Sequence, residues 1–113
     1  MSAPRLKAGI FVRAHIRVCE VAGVFAVIAR KGDETAGSVL LRINRLDGTG
    51  HLLSPFTHEE GGRAWRYRDG ISPIADAVID EMIGREIRRD PDLWVVEIED
   101  RTGRHFLTEP VIG

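Results

Sequence analysis

The chain reads as one α+β domain: a curved antiparallel sheet of about six strands with two helices on one face, in the order α-β-β-β-β-α-β-β. Three observations predict it. Two segments repeat apolar residues at three- and four-residue spacing, as amphipathic helices do. The segments between and after them alternate or run apolar over strand lengths. Short turn signals, Asp47-Gly48 above all, join successive strands, and short turns imply antiparallel pairing. At 113 residues the chain forms one domain over 1–113, without a linker or internal repeat. A chain of this size buries roughly two-thirds of its unfolded surface, enough for a core without staples.

The first helix covers residues 7–22. Ile10, Phe11, Ala14, His15, Val18, Val21 and Ala22 make its apolar stripe, and Arg13, Arg17 and Glu20 fall opposite. Gly23 supplies the left-handed residue that ends it. Val24 to Ala29 is a buried strand. Lys31-Gly32-Asp33-Glu34 turns the chain into Ser38 to Asn44, with Val39, Leu41 and Ile43 on one face and Leu40 and Arg42 on the other. Asp47-Gly48 returns it through His51, Leu52 and Leu53 to Pro55, and residues 56–62 form a polar loop. Ala64 to Arg68 is the fourth strand, Trp65 and Tyr67 on one face, Arg66 and Arg68 on the other.

The second helix opens with Ser72 as N-cap and Pro73 in its first turn. Ile74, Ala75, Val78, Ile79, Met82, Ile83 and Ile87 form its buried stripe, and Pro91 stops it. Leu93 to Glu99 is the fifth strand, with Trp94, Val96 and Ile98 inward and Val95, Glu97 and Glu99 outward. Asp100 to Gly103 turns the chain into a sixth strand around Phe106, and Glu109-Pro110 ends regular structure.

Composition excludes several classes. Hydrophobic residues at 43% and charged residues at 29% place the chain among globular proteins rather than disordered ones. A net charge of -1 argues against phosphate-driven nucleic-acid binding, which needs a clustered positive excess. Of the basic residues 14 are Arg and only Lys7 and Lys31 are Lys, a bias ordinary for a GC-rich genome. Cys19 stands alone, so no intramolecular disulfide forms, which fits a cytoplasmic protein. The longest apolar run, Val21 to Ala29, is too short to span a bilayer, so no membrane contact is expected.

No catalytic signature stands out. His15 and Cys19 share a helix face, but that face is the apolar stripe, so core packing is the simpler reading. His51, His58 and His105 lack metalloprotease spacing, and no metal or other cofactor is expected. The best ligand-binding hint is the run Arg63, Trp65, Arg66, Tyr67 and Arg68, which offers guanidinium groups and rings to an anion, a nucleotide or single-stranded nucleic acid. Glu97 and Glu99 are candidate carboxylate partners, or are simply neutralised across strands by Arg104 or Arg66.

Several segments together resemble a known family. They are Pro4-Arg5-Leu6-Lys7-Ala8-Gly9-Ile10, Ala36-Gly37, Asn44-Arg45-Leu46-Asp47-Gly48, Leu53-Ser54-Pro55 and the run Asp90-Pro91-Asp92-Leu93-Trp94 through Asp100. They are similar to domain-of-unknown-function family 1491, short and mainly alphaproteobacterial proteins. The resemblance covers nearly the whole chain, and Asp-Pro-Asp-Leu-Trp is its most specific part. It implies a stand-alone bacterial domain and brings no reaction, ligand or catalytic residue. The expectation is therefore a small non-enzymatic binding or regulatory module, with self-association through a sheet edge as its partner mode. The alternatives are a small enzyme or enzyme subunit acting on an anionic metabolite, and a weak nucleic-acid binder.

Overall fold

The computed structural model describes residues 6–113. Helix α1 spans Ala8–Val21 and α2 spans Asp76–Arg89. The strands are β1 (Phe25–Arg30), β2 (Val39–Asn44), β3 (Thr49–Thr57), β4 (Arg63–Tyr67), β5 (Ile74–Ala75), β6 (Trp94–Glu99) and β7 (Val111–Ile112). They form one sheet in the order β1-β6-β2-β3-β4-β7, with β5 added to β3. The class is α+β, as expected from the sequence.

The sheet is mixed rather than wholly antiparallel. Strand β6 inserts between β1 and β2, antiparallel to the first and parallel to the second, and β7 runs parallel to β4. Residues 31–38 are therefore not a hairpin turn but a bridge across the start of β6. The cause lies in β6 itself. Trp94, Val95, Val96 and Ile98 are all buried, Val95 included, so this strand needs cover on both faces and a place inside the sheet. The bridge is bound to it. The Asp33 N–H donates to the Asp92 carbonyl at 2.9 Å, and the Trp94 indole N–H donates to the Asp33 carbonyl at 2.7 Å.

The two helices lie on opposite faces, not on one. Ala8, Val12 and Cys19 of α1 pack with Val39, Leu41, Ile43, Leu53, Trp65, Trp94, Val96 and Ile98. Ile79 of α2, with Met82, Ile83 and Ile87 beside it, packs with Leu40, Leu52, Leu93 and Val95. The alternation of β2 explains this: its odd positions feed one core and Leu40 the other. Gly23 takes φ +77° where α1 ends, as expected.

Three further boundaries differ from expectation. The N-cap of α2 is Ala75, not Ser72, because Ile74 and Ala75 first pair with Gly50 and Thr49 of β3. The extended β3 reaches Thr57, since its outer half pairs with β4 rather than ending at Pro55. Residues around Phe106 form no strand, and Phe106 sits at φ +61°. Regular structure instead resumes after Pro110, where β7 joins β4 and the Trp65 N–H donates to the Pro110 carbonyl at 2.8 Å.

Candidate functional site

The residues singled out on β4 do not share one surface. Trp65 is fully buried, its indole N–H donating to Glu109 Oε1 at 2.9 Å, so its role is core and anchor. Tyr67 is half-buried, its ring edge-on to His51 at 5.6 Å and to His105 at 6.5 Å. Arg63 lies on the Trp65 face, over the Phe11 ring at 4.9 Å and 4.0 Å from Glu109 Oε2. Arg66 and Arg68 are on the other face. Arg66 stacks over Phe56 at 4.2 Å, and Arg68 donates to Glu86 of α2 at 3.2 Å.

The carboxylates of β6 stand elsewhere. Glu97 neighbours Val27 and Arg42, and Glu99 neighbours Phe25 and Asn44. Strands β2 and β3 separate them from β4, so Arg66 and Glu97 do not converge on a common pocket. Nor are Arg66 and Arg104 their neutralising partners. Arg42 lies 3.8 Å from Glu97, and also pairs with Asp76 at 3.6 Å and Asp80 at 2.5 Å. Arg104 binds Asp100, whose carboxylate accepts from the Arg104 backbone and side chain and from the Thr102 hydroxyl. These bonds, the Arg104 side-chain pair foremost, hold Asp100 far below the usual carboxylate range.

The histidines divide too. His58 lies in the β3–β4 hairpin, its Nδ1 accepting from the Glu60 N–H at 3.2 Å. It is seven residues along the chain from His51, about 23 Å of extended strand. His51 and His105 flank Tyr67 under α1. His15 Nε2 lies 2.9 Å from the His105 carbonyl, and since a carbonyl only accepts, this nitrogen carries the proton. The Arg45 guanidinium lies 3.2 Å from His51 Nε2 and donates to it, which places the His51 proton on Nδ1, a buried atom without a partner among the described residues. Burial pushes all three imidazoles below their ordinary value, and Arg45 pushes His51 and His15 pushes His105 in the same direction. Cys19 is fully buried, and burial pushes its thiol up, away from thiolate character.

Two surfaces remain that sequence reasoning did not locate. One is the outer edge of β1. No described residue pairs with that edge, and Phe25, Val27 and Ile28 are 60%, 36% and 38% exposed. Beside it, between β1, β6 and α2, runs a groove of about 320 Å³ lined by the apolar Ala29, Ile83, Ile87 and Val95 and by the charged Arg30, Arg42, Asp80 and Glu97. The other is a cleft of about 260 Å³ where β2 and β3 part, lined by Gly37, Ser38, Val39, Phe56, Thr57 and Arg63 among others. The strand order, which no local pattern encodes, creates the first.

The family model described as "Protein of unknown function (DUF1491)" matches residues 6–108, nearly all of the fold just described. The chain belongs to the DUF1491 family. A crystal structure of a DUF1491 family protein from Caulobacter crescentus CB15 is 47% identical, with a TM-score of 0.85, and the match covers 96% of this chain and 100% of that one. An NMR structure of a DUF1491 family protein from the same organism is 46% identical, with a TM-score of 0.82 and coverage of 98% and 100%. The solution structure of protein Atu0922 from A. tumefaciens is 36% identical, with a TM-score of 0.73 and coverage of 85% and 86%. No curated protein matches the chain. DUF1491 thus supplies a fold and a lineage but no activity. Among the described residues, no helix is long and apolar enough to cross a membrane.

Proposed function

We propose that this DUF1491 protein is a non-enzymatic binding or regulatory module of the bacterial cytosol that acts as a homodimer, joined through the β1 edge. The observation that carries the reading is the exposed apolar run Phe25, Val27 and Ile28 on an edge strand. Soluble proteins protect such edges with charge, proline or cover, because the free N–H and C=O groups recruit another strand. Here no charged residue occurs from Val21 to Ala29.

A second copy is the occupant that fits best. Antiparallel self-pairing centred on Val27 sets Val27 against itself and Ala26 against Ile28. It also places Phe25 beside the small Ala29, at the bulge that interrupts β1 between Ile28 and Arg30. Small residues thus meet large ones, and no like charges meet. The result is one continuous sheet across a two-fold axis, with the groove beside α2 extended from both sides.

Native mass spectrometry and sedimentation velocity on the untagged protein test this. A dimer that Val27→Lys converts to a folded monomer is the expected result. A parent that stays monomeric at tens of micromolar, or a dimer that Val27→Lys leaves intact, sinks the reading.

A further inference from the structure

The cleft between β2 and β3 has a chemistry of its own, independent of the β1 edge. Its origin is Pro55. The β2–β3 register runs from Asn44↔Gly50 to Leu41↔Leu53 and stops there. In step, Leu40 and Ser54 would follow and then Val39 and Pro55, and proline has no N–H to donate. The strands part at that point, β3 continuing toward Thr57 with β4 and β2 starting from the bridge of residues 31–38.

The residues lining the cleft left between them include the small or polar Gly37, Ser38 and Thr57 and the apolar Val39, Pro55 and Phe56. Arg63 is the one charged residue among the described residues lining it, with the Glu109 carboxylate as its neighbour. The Arg63 side chain is 19% exposed, and its Nε stands 4.0 Å from Glu109, too far for a hydrogen bond. Glu109 Oε1 is already engaged by the Trp65 indole. The Arg63 guanidinium therefore keeps N–H donors for another acceptor, in a fork that suits phosphate or carboxylate oxygens. Arg66 adds a second positive charge close by, stacked on the opposite side of the strand over Phe56.

We infer that this cleft binds a small organic anion. Its phosphate or carboxylate group sits on Arg63 beside the Ser38 and Thr57 side, and its carbon skeleton lies against Val39, Pro55 and Phe56. The volume of about 260 Å³ is of the order a small metabolite needs. The two halves of the cleft make distinct demands, which separates this reading from adventitious ion binding on a surface arginine.

Titration of the intact ¹⁵N-labelled protein with phenyl phosphate, benzoate and inorganic phosphate, followed by amide shifts, tests it. Saturable shifts at Gly37, Ser38, Val39 and Thr57 are expected with both aromatic anions. Their affinity should exceed that of inorganic phosphate by about fivefold or more, from burial of the ring. The relative strength of phenyl phosphate and benzoate tells which anionic group the cleft prefers. Arg63→Gln should abolish saturation and Arg63→Lys should weaken binding but keep it saturable, because the charge stays and the fork is lost, while Arg68→Gln, a residue paired with Glu86 and not lining the cleft, should bind as the parent does. The fold of each variant is read from its dispersed amide spectrum. Linear, unsaturable shifts, shifts centred elsewhere, equal binding by all three anions, or a folded Arg63→Gln that binds normally each overturn the inference.

Discussion

The indole N–H of Trp65 donates to Glu109 Oε1 at 2.9 Å, joining the centre of one core to the last irregular segment of the chain. The neighbouring Trp65 N–H donates to the Pro110 carbonyl at 2.8 Å, and β7 then pairs with β4. One tryptophan thus fixes the C-terminal segment by its backbone and its side chain together. The β4 edge owes its cover to that residue, whereas β1 has no such strap among the described residues.

Removal of this acceptor has a definite expected cost. Glu109→Ala leaves a buried indole N–H unpaired, a loss of about 1–2 kcal/mol. Urea unfolding should show that loss. Hydrogen exchange should speed up first at Val111 and Ile112, because β7 has only two residues of ladder to hold it. A variant with parental stability and protection at β7 would assign the strap to the backbone bond alone.

The bridge over β6 has no room for a methyl group. A Cβ on Gly37 would overlap the Asp92 carbonyl oxygen and stand 2.9 Å from both the Asp33 carbonyl oxygen and the Trp94 ring. Two of these contacts are backbone, which yields little. Gly37→Ala should destabilise the fold by about 1–3 kcal/mol, visible as a lower urea midpoint with an unchanged slope. Gly62→Ala, where a Cβ meets nothing within 4 Å, is the control that should stay near the parent.

Acid should loosen the face under α1. His15, His51 and His105 are each pushed below the ordinary 6.5, burial being the largest cause for all three. Below 6.5 the unfolded chain takes up protons that the folded chain refuses, so stability falls with pH. The loss ends only beneath the folded values, and each histidine adds up to about 1.4 kcal/mol per pH unit within that window. Unfolding free energies measured from pH 8 to pH 5 should decline below 6.5, and His51→Gln should flatten the decline. A flat profile over that range would contradict neutral burial of these rings.

Asp100 carries a pH dependence of its own at lower pH. Its folded carboxylate lies below the ordinary 3.8, chiefly through Arg104, so its contribution is present above 3.8 and is lost as pH falls beneath it. Asp100→Ala should cost on the order of 2 kcal/mol at pH 7, from the acceptor lost by the Arg104 N–H and the Thr102 hydroxyl. The variant should also lose stability less steeply than the parent between pH 4 and pH 2.

Much of this molecule was legible in its sequence. The apolar spacing of α1 and α2, the alternation of β2 and the Trp65/Arg66 alternation of β4 are local patterns, and local patterns survive into the fold because each follows the period of its own element. The family was legible too, from Asp90 to Asp100. The candidate site was legible only in part: Arg63 reaches a cleft, but beside Ser38 and Phe56 rather than beside Trp65 and Glu97.

What the sequence by itself determined is therefore the class, the two helices, the cores of five strands and the faces of most of them. Tertiary structure alone decided the order of the strands. Val95 looked outward by alternation, yet it is buried, because α2 carries the chain back so that β6 enters beside β2 and needs cover on both sides. That single insertion put the helices on opposite faces, left β1 as the exposed edge and turned residues 31–38 into a bridge. Such a choice depends on which distant surfaces bury one another, and no window of neighbouring residues contains it.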